Sequence, residues 1–562
     1  MLDVRQMIVF RAVAAVIITN FSNQWHETLA ILNKKERRVS ESLIKALQDP
    51  AVYGHPVTQF QLVETHISWV ILTGPYAYKI KKPMDFGFLN FTDLERRRFY
   101  CEEELRLNRR LAPEIYLGLV RITGSEAKPS IDGNGDVIEY AVKMKQFNPN
   151  DLLSKLPNDS DKLPRYLDAL SQQLADFHMQ ESAVADSSSE FGDPEQVFAP
   201  VQQNFDQVRP MLSDAAELRQ LEYIEGWAQS TYERLRPFLQ SRKDKGFVRE
   251  CHGDVHLGNV TLFENRVTLF DCIEFNEDFR WTDVYNDLAF LMMDLEDRGM
   301  KHLSYRFLNK YLEITGDYAG AELLPFYKSY RAMVRCKVAL FTLGAPGLSE
   351  EAKAEQVRKY RKYLELAESY MDVPTRFLLI THGVSGTGKS TITSRLLERL
   401  SAIRLRSDVE RKRLFGFSHL DSTGASGSDQ GIYNKDASIK TYSHLADTAR
   451  ALLHCGAAVI IDATFLRYDQ RQQMEKVAEE EGVPFAVVDC RVPLDEIERR
   501  LNRRKEKNDD PAEAGVEVMH KQLTRDEPFQ EDELPHVLVV ATDSSEDIQT
   551  LTEKLVQRLG AA

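Results

Sequence analysis

Apolar residues follow two different patterns along the chain. In the first part, short β-like runs occur at His66–Leu72 and Val137–Met144, and longer helical stretches come later. In the last part, short apolar runs at Phe377–Thr381, Ala457–Asp462 and Pro484–Asp489 alternate with helical segments. Such alternation is typical of a parallel α/β sheet. The pattern therefore predicts an α+β domain followed by an α/β domain.

The predicted boundary between the two domains lies near residue 373. A charge-rich helical stretch at 349–371 ends at Asp372-Val373-Pro374, after which a new apolar strand begins. A chain of 562 residues also exceeds what one hydrophobic core usually serves. We therefore predict an extension at 1–40, which is either non-structural or an extra helix, and two domains at 41–372 and 373–562.

Composition narrows the class of protein. Hydrophobic residues make up 43% and charged residues 28%, as in an ordinary soluble protein. The formal charge of −14 argues against a nucleic-acid partner. The six cysteines include no CxxC pair, which argues against a zinc site or a disulfide framework. The longest early apolar run, Ala12–Ile18, is far too short to span a membrane. A cytoplasmic protein with reduced thiols is expected.

A phosphate-binding loop is the most specific motif in the sequence. It fits G-x-x-x-x-G-K-[ST] in full, follows an apolar strand and precedes an amphipathic helix. Glycines let backbone N–H groups approach phosphate, and the helix N-terminus favours the anion. The lysine would neutralise phosphate charge and the serine hydroxyl would bind Mg²⁺. The predicted nucleotide-binding residues are Gly383, Val384, Ser385, Gly386, Thr387, Gly388, Lys389, Ser390 and Thr391.

Two aspartates after the loop are candidates for chemistry. Asp408 follows a second predicted strand and could act as the base for an acceptor hydroxyl, although a helix N-cap is the alternative. Asp462 ends the apolar run Ala458–Ile461 and could hold Mg²⁺ or position the acceptor. Both predictions place a carboxylate near the transferring phosphate.

An arginine-rich helix follows Pro493. Arg500 and Arg504 are one helical turn apart and would face the same way. Such a pair suits a lid that closes over the transferring phosphate, and a solvated basic face is the alternative.

Residues 374–562 resemble small P-loop kinases of the gluconate kinase, polynucleotide kinase and zeta-toxin type. The resemblance rests on GVSGTGKST, RSDVERKRLFG, VIIDATFLR and RRLNRR. It implies an α/β P-loop NTPase fold with a parallel sheet, and it leaves the acceptor open.

A second, unrelated constellation lies in the first domain. In the run CHGDVHLGN an aspartate, Asp254, stands five residues before Asn259, as in the catalytic loop of kinases. Asp254 would accept the proton of a substrate hydroxyl and Asn259 would bind Mg²⁺. The next strand ends in Asp271, which is the expected position of a second metal ligand.

This part, roughly 45–345, resembles the aminoglycoside phosphotransferase and choline kinase family. The motifs are CHGDVHLGN, LFDCIEF and DVYNDLA. The resemblance implies a protein-kinase-like fold, with Asp287 bracing the catalytic loop. One departure is the absence of G-x-G-x-x-G, since only Gly74 lies near the phosphate-binding lysine.

The family also requires a strand lysine paired with a helix glutamate. We choose Lys79, with Lys81 and Lys82 as rivals. The following helix would open with a capping box at Thr92-x-x-Glu95. Glu104 lies on the same helical row as apolar residues, so it is expected to face inward and pair with Lys79, although a solvated glutamate is the alternative. The strand Glu139–Met144 would lead to the adenine pocket.

The order of the two units resembles bacterial fusions of an aminoglycoside phosphotransferase with an ATP-binding protein. We therefore expect a bifunctional kinase that uses ATP and Mg²⁺ to phosphorylate hydroxyl groups of small molecules. Two alternatives remain at this point: one catalytic domain regulated by nucleotide binding to the other, or a nucleotide-gated binding module. The acceptors and the oligomeric state do not follow from the sequence.

Overall fold

A computed structural model describes residues 41–65, 67–85, 89–345, 347–372, 375–421, 431–507 and 511–560. These residues form two compact units. The first contains the described residues up to Pro149 together with Phe270–Arg280, and the second contains Asn150–Leu269 and the described residues from Trp281 onward. The predicted extension at 1–40 and the break at 373–374 lie outside the described residues. The predicted boundary near residue 373 stays a prediction.

An antiparallel sheet forms most of the first unit. Its strands lie in the order β1-β2-β3-β6-β4-β5. Ile71, Ile80 and Ile122 project from three of these strands into one buried cluster. The strands are β1 (Gln61–Glu64), β2 (Ser68–Leu72), β3 (Tyr76–Lys81), β4 (Tyr116–Ser125), β5 (Lys128–Ile131) and β6 (Val137–Lys145).

Helix α1 (Leu94–Asn108) packs against β4 and β6. Asp93 is its N-cap and accepts a hydrogen bond from the amide of Arg96 at 2.8 Å. The predicted capping box at Thr92 is wrong by one residue, because the Thr92 hydroxyl instead donates to Asn90. The short helix α5 (Glu277–Arg280) also belongs to this unit.

Helices dominate the first part of the second unit. They surround two small antiparallel pairs, β7 (Val248–Glu250) with β10 (Trp281–Asp283) and β8 (Val260–Phe263) with β9 (Arg266–Leu269). Helix α7 packs on α2 and on α6, and α8 packs on α9. The helices are α2 (Leu163–Asp176), α3 (Pro194–Val208), α4 (Ala215–Asp244), α6 (Val284–Asp297), α7 (Lys301–Thr315), α8 (Leu324–Leu343) and α9 (Glu350–Ser369).

A parallel five-stranded sheet organises the rest of the second unit. Its strand order is β12-β13-β11-β14-β15, as expected for a P-loop fold. The strands are β11 (Leu378–His382), β12 (Ile403–Arg406), β13 (Val459–Asp462), β14 (Phe485–Arg491) and β15 (Val537–Ala541). The flanking helices are α10 (Lys389–Leu400), α11 (Ser407–Leu414), α12 (Lys435–His454), α13 (Tyr468–Glu480), α14 (Leu494–Lys507), α15 (Val516–Leu523) and α16 (Ser545–Leu559).

The predicted strands of this sheet are confirmed to within two residues at either end. Leu379, Ile460 and Val488 from its central strands lie in one buried cluster with Ile392 and Leu396 of α10. Because parallel strands expose their carboxyl ends at one edge, the residues that follow β11, β12 and β13 are brought together there.

All six cysteines are free thiols in the structure. Among the described residues, none of the helices combines the length and the apolar character that crossing a membrane requires.

Candidate functional site

The phosphate-binding loop joins β11 to α10. Gly383, Gly386 and Gly388 have φ angles of 130°, 90° and 94°, which side chains with a Cβ rarely adopt. A Cβ on Gly388 would lie 3.0 Å from side-chain atoms of Arg500 and of Thr542, which is closer than ordinary van der Waals contact. The loop therefore has the close backbone approach that a phosphate group needs.

The Ser385 amide of this loop already has a side-chain partner. The N–H of Ser385 donates to the side-chain oxygen of Gln522, on α15, at 2.8 Å. Gln522 also lines the cavity beside the loop. A phosphate that uses the Ser385 amide would have to displace this contact.

Lys389 and Asp462 supply opposite charges at the base of the loop. Lys389 Nζ donates to the carbonyl of Val384 at 2.8 Å. Burial lowers the pKa of Lys389, and the carboxylates of Asp462 and Asp408 offset part of this effect. A buried cation with a lowered pKa is stabilised by a bound anion, so the site fits a nucleotide phosphate. Asp462 ends β13 and accepts a hydrogen bond from Thr393.

Asp408 lies in the first turn of α11, just beyond the end of β12. The alternative interpretation, a helix N-cap, is wrong, because Arg406 occupies that position. Asp408 lines the same cavity as Lys389 and Asp462, which is the placement expected of a base for an acceptor hydroxyl.

Arg500 and Arg504 on α14 both line this cavity. Arg500 is held by Glu496 at 2.7 Å and by the Thr542 hydroxyl at 2.9 Å. Arg504 donates to the carbonyl of Ala514 at 2.5 Å. The two guanidinium groups therefore face the loop rather than bulk solvent, which favours the predicted lid over a solvated basic face.

The cavity has a volume of about 1020 Å³, which is ample for a nucleotide and a second molecule. Its wall is rich in cationic side chains although the whole chain carries net negative charge. Besides the predicted residues Lys389, Arg500 and Arg504, the cationic lining consists of Arg406, Arg411, Lys435, Arg467, Lys521 and Arg525.

His382 directly precedes the loop and ties it to two other segments. Its Nδ1 lies 2.8 Å from Asp489 on β14, and its Nε2 lies 3.1 Å from Asp526, which follows α15. Burial lowers the pKa of His382, but the hydrogen bonds to the two carboxylates outweigh it and raise the pKa above 6.5.

The first unit holds a buried cluster of charged side chains around Lys79. Lys79 Nζ lies 2.8 Å from Glu104 and 2.7 Å from Asp271. Burial alone would lower the pKa of Lys79, but Asp271 and Glu104 raise it well above 10.5. Glu104 is fully buried, so the predicted inward orientation and the pairing with Lys79 are confirmed.

The two rival lysines differ in what they contact. Lys82 lies on the other face of the strand, where Nζ contacts Glu64 at 2.6 Å and the ring of Trp69 at 5.3 Å. Lys81 shares the face of Lys79, contacts Glu104 at 2.8 Å and also pairs with Glu274. The geometry favours Lys79, because it reaches the carboxylate of the predicted metal ligand Asp271.

Asp271 has a left-handed backbone conformation with φ at 65°. This conformation is uncommon for a residue other than glycine and is typical of functional sites. Its N–H donates to the Tyr116 hydroxyl at 3.2 Å, and the side chain of Asp271 is 40% exposed, so it is open to a ligand.

The predicted catalytic loop lies in the second unit. Asn259 donates to the Asp254 carboxylate at 2.8 Å, and His256 Nε2 lies 3.3 Å from the same carboxylate. The His256 Nδ1 accepts from the Gly258 amide, so the Nε2 carries the proton. Burial raises the pKa of Asp254, but the interaction with His256 and the charge of Arg335 lower it below its usual value. Asp254 is therefore an ionised carboxylate, as a base requires.

Asp287 braces this loop from α6, as predicted. Its carboxylate accepts hydrogen bonds from the amides of His252 at 2.9 Å and Gly253 at 2.8 Å. His178 approaches the same carboxylate at 3.3 Å and contacts the Tyr311 hydroxyl of α7 at 3.0 Å.

Comparison with known proteins finds relatives that align with most of the chain. One uncharacterized protein of Mycobacterium tuberculosis and one of Mycobacterium bovis are each 30% identical to it over 465 residues. The aligned region covers 81% of this chain and 89% of each relative. This chain belongs to their family.

Two family models describe the parts of this family member. Residues 101–324 match the phosphotransferase enzyme family, and residues 378–529 match the AAA domain. The chain therefore joins a kinase-like phosphotransferase domain to a nucleotide-binding P-loop domain, as both motifs predicted.

Two solved structures are each similar to part of the chain. A choline/ethanolamine kinase family protein from Mesorhizobium loti covers 59% of this chain and 99% of its own, at 11% identity and a TM-score of 0.34. The APS kinase of Mycobacterium tuberculosis covers 33% of this chain and 99% of its own, at 22% identity and a TM-score of 0.24. Both TM-scores lie below 0.5, so the fold assignment depends on the family models and the strand order.

Several residues of the P-loop site were not predicted as site residues from the sequence. Arg411 lies one turn after Asp408 and is 7% exposed, and its Nε has no hydrogen-bond partner within the described ranges. Its spacing from Asp408 could have identified it. Gln522 and Tyr433 line the same cavity, but nothing in their local sequence distinguishes them.

Proposed function

We propose that the chain is a bifunctional kinase, in which each of the two family domains transfers the γ-phosphoryl group of ATP to a hydroxyl of a small molecule. The observation that carries the proposal is that two separate sets of side chains are suited to phosphoryl transfer. Lys79 contacts Glu104 and Asp271 in one place, and Lys389 lies with Asp462 and Asp408 in another. Either set alone would suit one nucleotide, so two sets favour two sites.

At the P-loop site, the chain's own groups would bind and orient. The loop amides and Lys389 would hold the phosphates, while Ser390 and Asp462 would hold Mg²⁺, which shields the charge that develops during transfer. Arg500 and Arg504 would stabilise the transferring group. Asp408 would accept the proton of the acceptor hydroxyl.

In the phosphotransferase domain, Lys79 would bind phosphate oxygens and Glu104 would keep its ammonium in place. Asn259 and Asp271 would serve as Mg²⁺ ligands. Asp254 would accept the proton of the second acceptor. Its ionised state, maintained by His256, supports that role. We propose a cytoplasmic location, where ATP and small-molecule acceptors are available.

The test is transfer of labelled phosphate from ATP into a metabolite extract by the full chain and by two variants. We expect Asp254→Asn to abolish one set of labelled products and Lys389→Ala to abolish another. If one variant loses every product and the other loses none, the bifunctional proposal is wrong and a single catalytic domain remains.

A further inference from the structure

Helix α7, which belongs to the phosphotransferase family region, seals the edge of the P-loop sheet. Strand β12 is an edge strand, so its backbone groups need partners outside the sheet. Asn309 of α7 donates to the carbonyl of Ala402 at 2.9 Å and accepts from the amide of Arg404 at 2.6 Å. Its side-chain amide thus takes the place of a neighbouring strand. Both elements lie in the second compact unit.

One helical turn beyond Asn309, Glu313 reaches two arginines of β12. Its carboxylate lies 2.5 Å from Arg404 and 3.6 Å from Arg406. Glu313 is 5% exposed. Burial raises the pKa of Glu313, but Arg404 and Arg406 outweigh it and lower the pKa to about 2, so the group is charged at neutral pH.

Each of these arginines also contacts a residue at the nucleotide site. Arg404 donates to the carbonyl of Ser390 at 3.2 Å and to the Ser394 hydroxyl at 2.7 Å, both in the first turns of α10. Arg406 Nε lies 3.7 Å from the carboxylate of Asp462 and lines the cavity. Ser390 and Asp462 are the two residues to which Mg²⁺ binding is assigned above.

We propose that Glu313 is a positioning residue of the P-loop metal site, supplied by the phosphotransferase half of the chain. This inference rests on the proposed function. Glu313 attracts Arg406 away from Asp462 and holds Arg404 against the helix turn that carries Ser390. Without the charge of Glu313, the attraction of Asp462 for Arg406, whose Nε lies 3.7 Å away, is no longer opposed from this side. A closer ion pair there would compete with Mg²⁺ for Asp462.

The experiment measures Mg²⁺-dependent binding of a fluorescent ATP analogue to the full chain. Lys79→Ala is present throughout, so that binding reports on the P-loop alone. We expect Glu313→Gln to raise the Mg²⁺ concentration at half-maximal binding at least fivefold, whereas binding measured in EDTA stays unchanged. A purely structural defect would weaken binding of the analogue both with Mg²⁺ and in EDTA.

Two further variants separate positioning from packing. Glu398→Gln removes another carboxylate of the same contact surface, which pairs with Arg306 of α7 at 2.9 Å, and should leave the Mg²⁺ midpoint unchanged. Arg406→Gln added to Glu313→Gln removes the competing cation and should restore the midpoint. An unchanged midpoint in Glu313→Gln, an equal rise in Glu398→Gln, or no restoration in the double variant would each overturn the proposal.

Glu313→Asp covers the case in which Glu313→Gln does not fold. Aspartate retains the buried charge but is too short to reach both arginines, so an intermediate rise is expected and no rise overturns the proposal. A parent protein that binds the analogue without any Mg²⁺ dependence would instead reject the metal assignment in the proposed function.

Discussion

The ammonium of Lys79 lies 2.7 Å from the carboxylate of Asp271, although 192 positions separate them in the sequence. Asp271 has a left-handed backbone conformation and lies at the start of the segment Phe270–Arg280, which belongs to the first unit. The contact pairs the residue predicted to bind phosphate with one predicted to bind metal. A bound nucleotide would exchange this ion pair for contacts of its own.

Replacing Lys79 should therefore act on nucleotide use rather than on folding alone. We expect Lys79→Ala to lower phosphoryl transfer by the phosphotransferase domain about 100-fold, the magnitude typical of losing one preorganised charge contact. Products that depend on Lys389 should persist. The measurement is labelled-phosphate transfer with the P-loop products as internal standard.

Lys82→Ala is the matched control, since Lys82 is on the same strand segment but contacts Glu64 and Trp69. The Lys82 side chain is buried like that of Lys79, but these contacts do not belong to the cluster around Lys79, so Lys82→Ala should retain transfer within about twofold. Equal losses in both variants would contradict the assignment of Lys79.

His256 should influence the pH range over which the phosphotransferase domain transfers phosphate. The Asp254 carboxylate must be ionised to act as a base, and the hydrogen bond from His256 helps to keep its pKa low. His256→Ala removes this hydrogen bond, so the pKa of Asp254 should rise. The acidic limb of the pH–rate profile should then move to higher pH, while the P-loop products keep their profile. A profile that does not move would exclude this role of His256.

The motif-bearing parts of the fold follow from the sequence because their signals are local. Gly383–Ser390 fixes a strand, a loop and a helix together, and the alternation around it predicts the parallel sheet. The choice between Lys79 and Lys81 as the phosphate-binding lysine cannot be made from local sequence. Alternation along β3 places Lys79 and Lys81 on one face, and both contact Glu104, so only the position of Asp271 distinguishes them.

The supporting residues could not be predicted, because their partners are distant in sequence. Glu313 and Arg404 are 91 positions apart, and Ser385 and Gln522 are 137 apart. Nothing in the sequence around Glu313 sets it apart from other helical glutamates. The capping box at Thr92 failed for a different reason, since Asp93 offered a stronger cap one residue later.

His382 should make the stability of the P-loop domain depend on pH. Its pKa is raised above 6.5 in the folded protein by Asp489 and Asp526. The stability it contributes is therefore fully present below pH 6.5 and is lost as pH rises through the folded pKa. We expect the transition temperature of wild type to exceed that of His382→Gln by a few degrees at pH 6, and the difference to shrink toward pH 9.

The measurement is a series of thermal unfolding scans of both proteins across this pH range. Glutamine does not titrate between pH 6 and pH 9, so His382→Gln removes the pH-dependent contribution of this residue to the free energy of unfolding and keeps a polar side chain. A difference that is constant with pH, or that grows with pH, would contradict the ion pairs of His382.

The stoichiometry of ATP-analogue binding to the full chain in the presence of Mg²⁺ distinguishes two separate nucleotide sites from one. With two sites, we expect two equivalents for wild type, one for Lys389→Ala, one for Lys79→Ala and none for the double variant. A single equivalent for wild type, or the loss of all binding in either single variant, would contradict two separate sites.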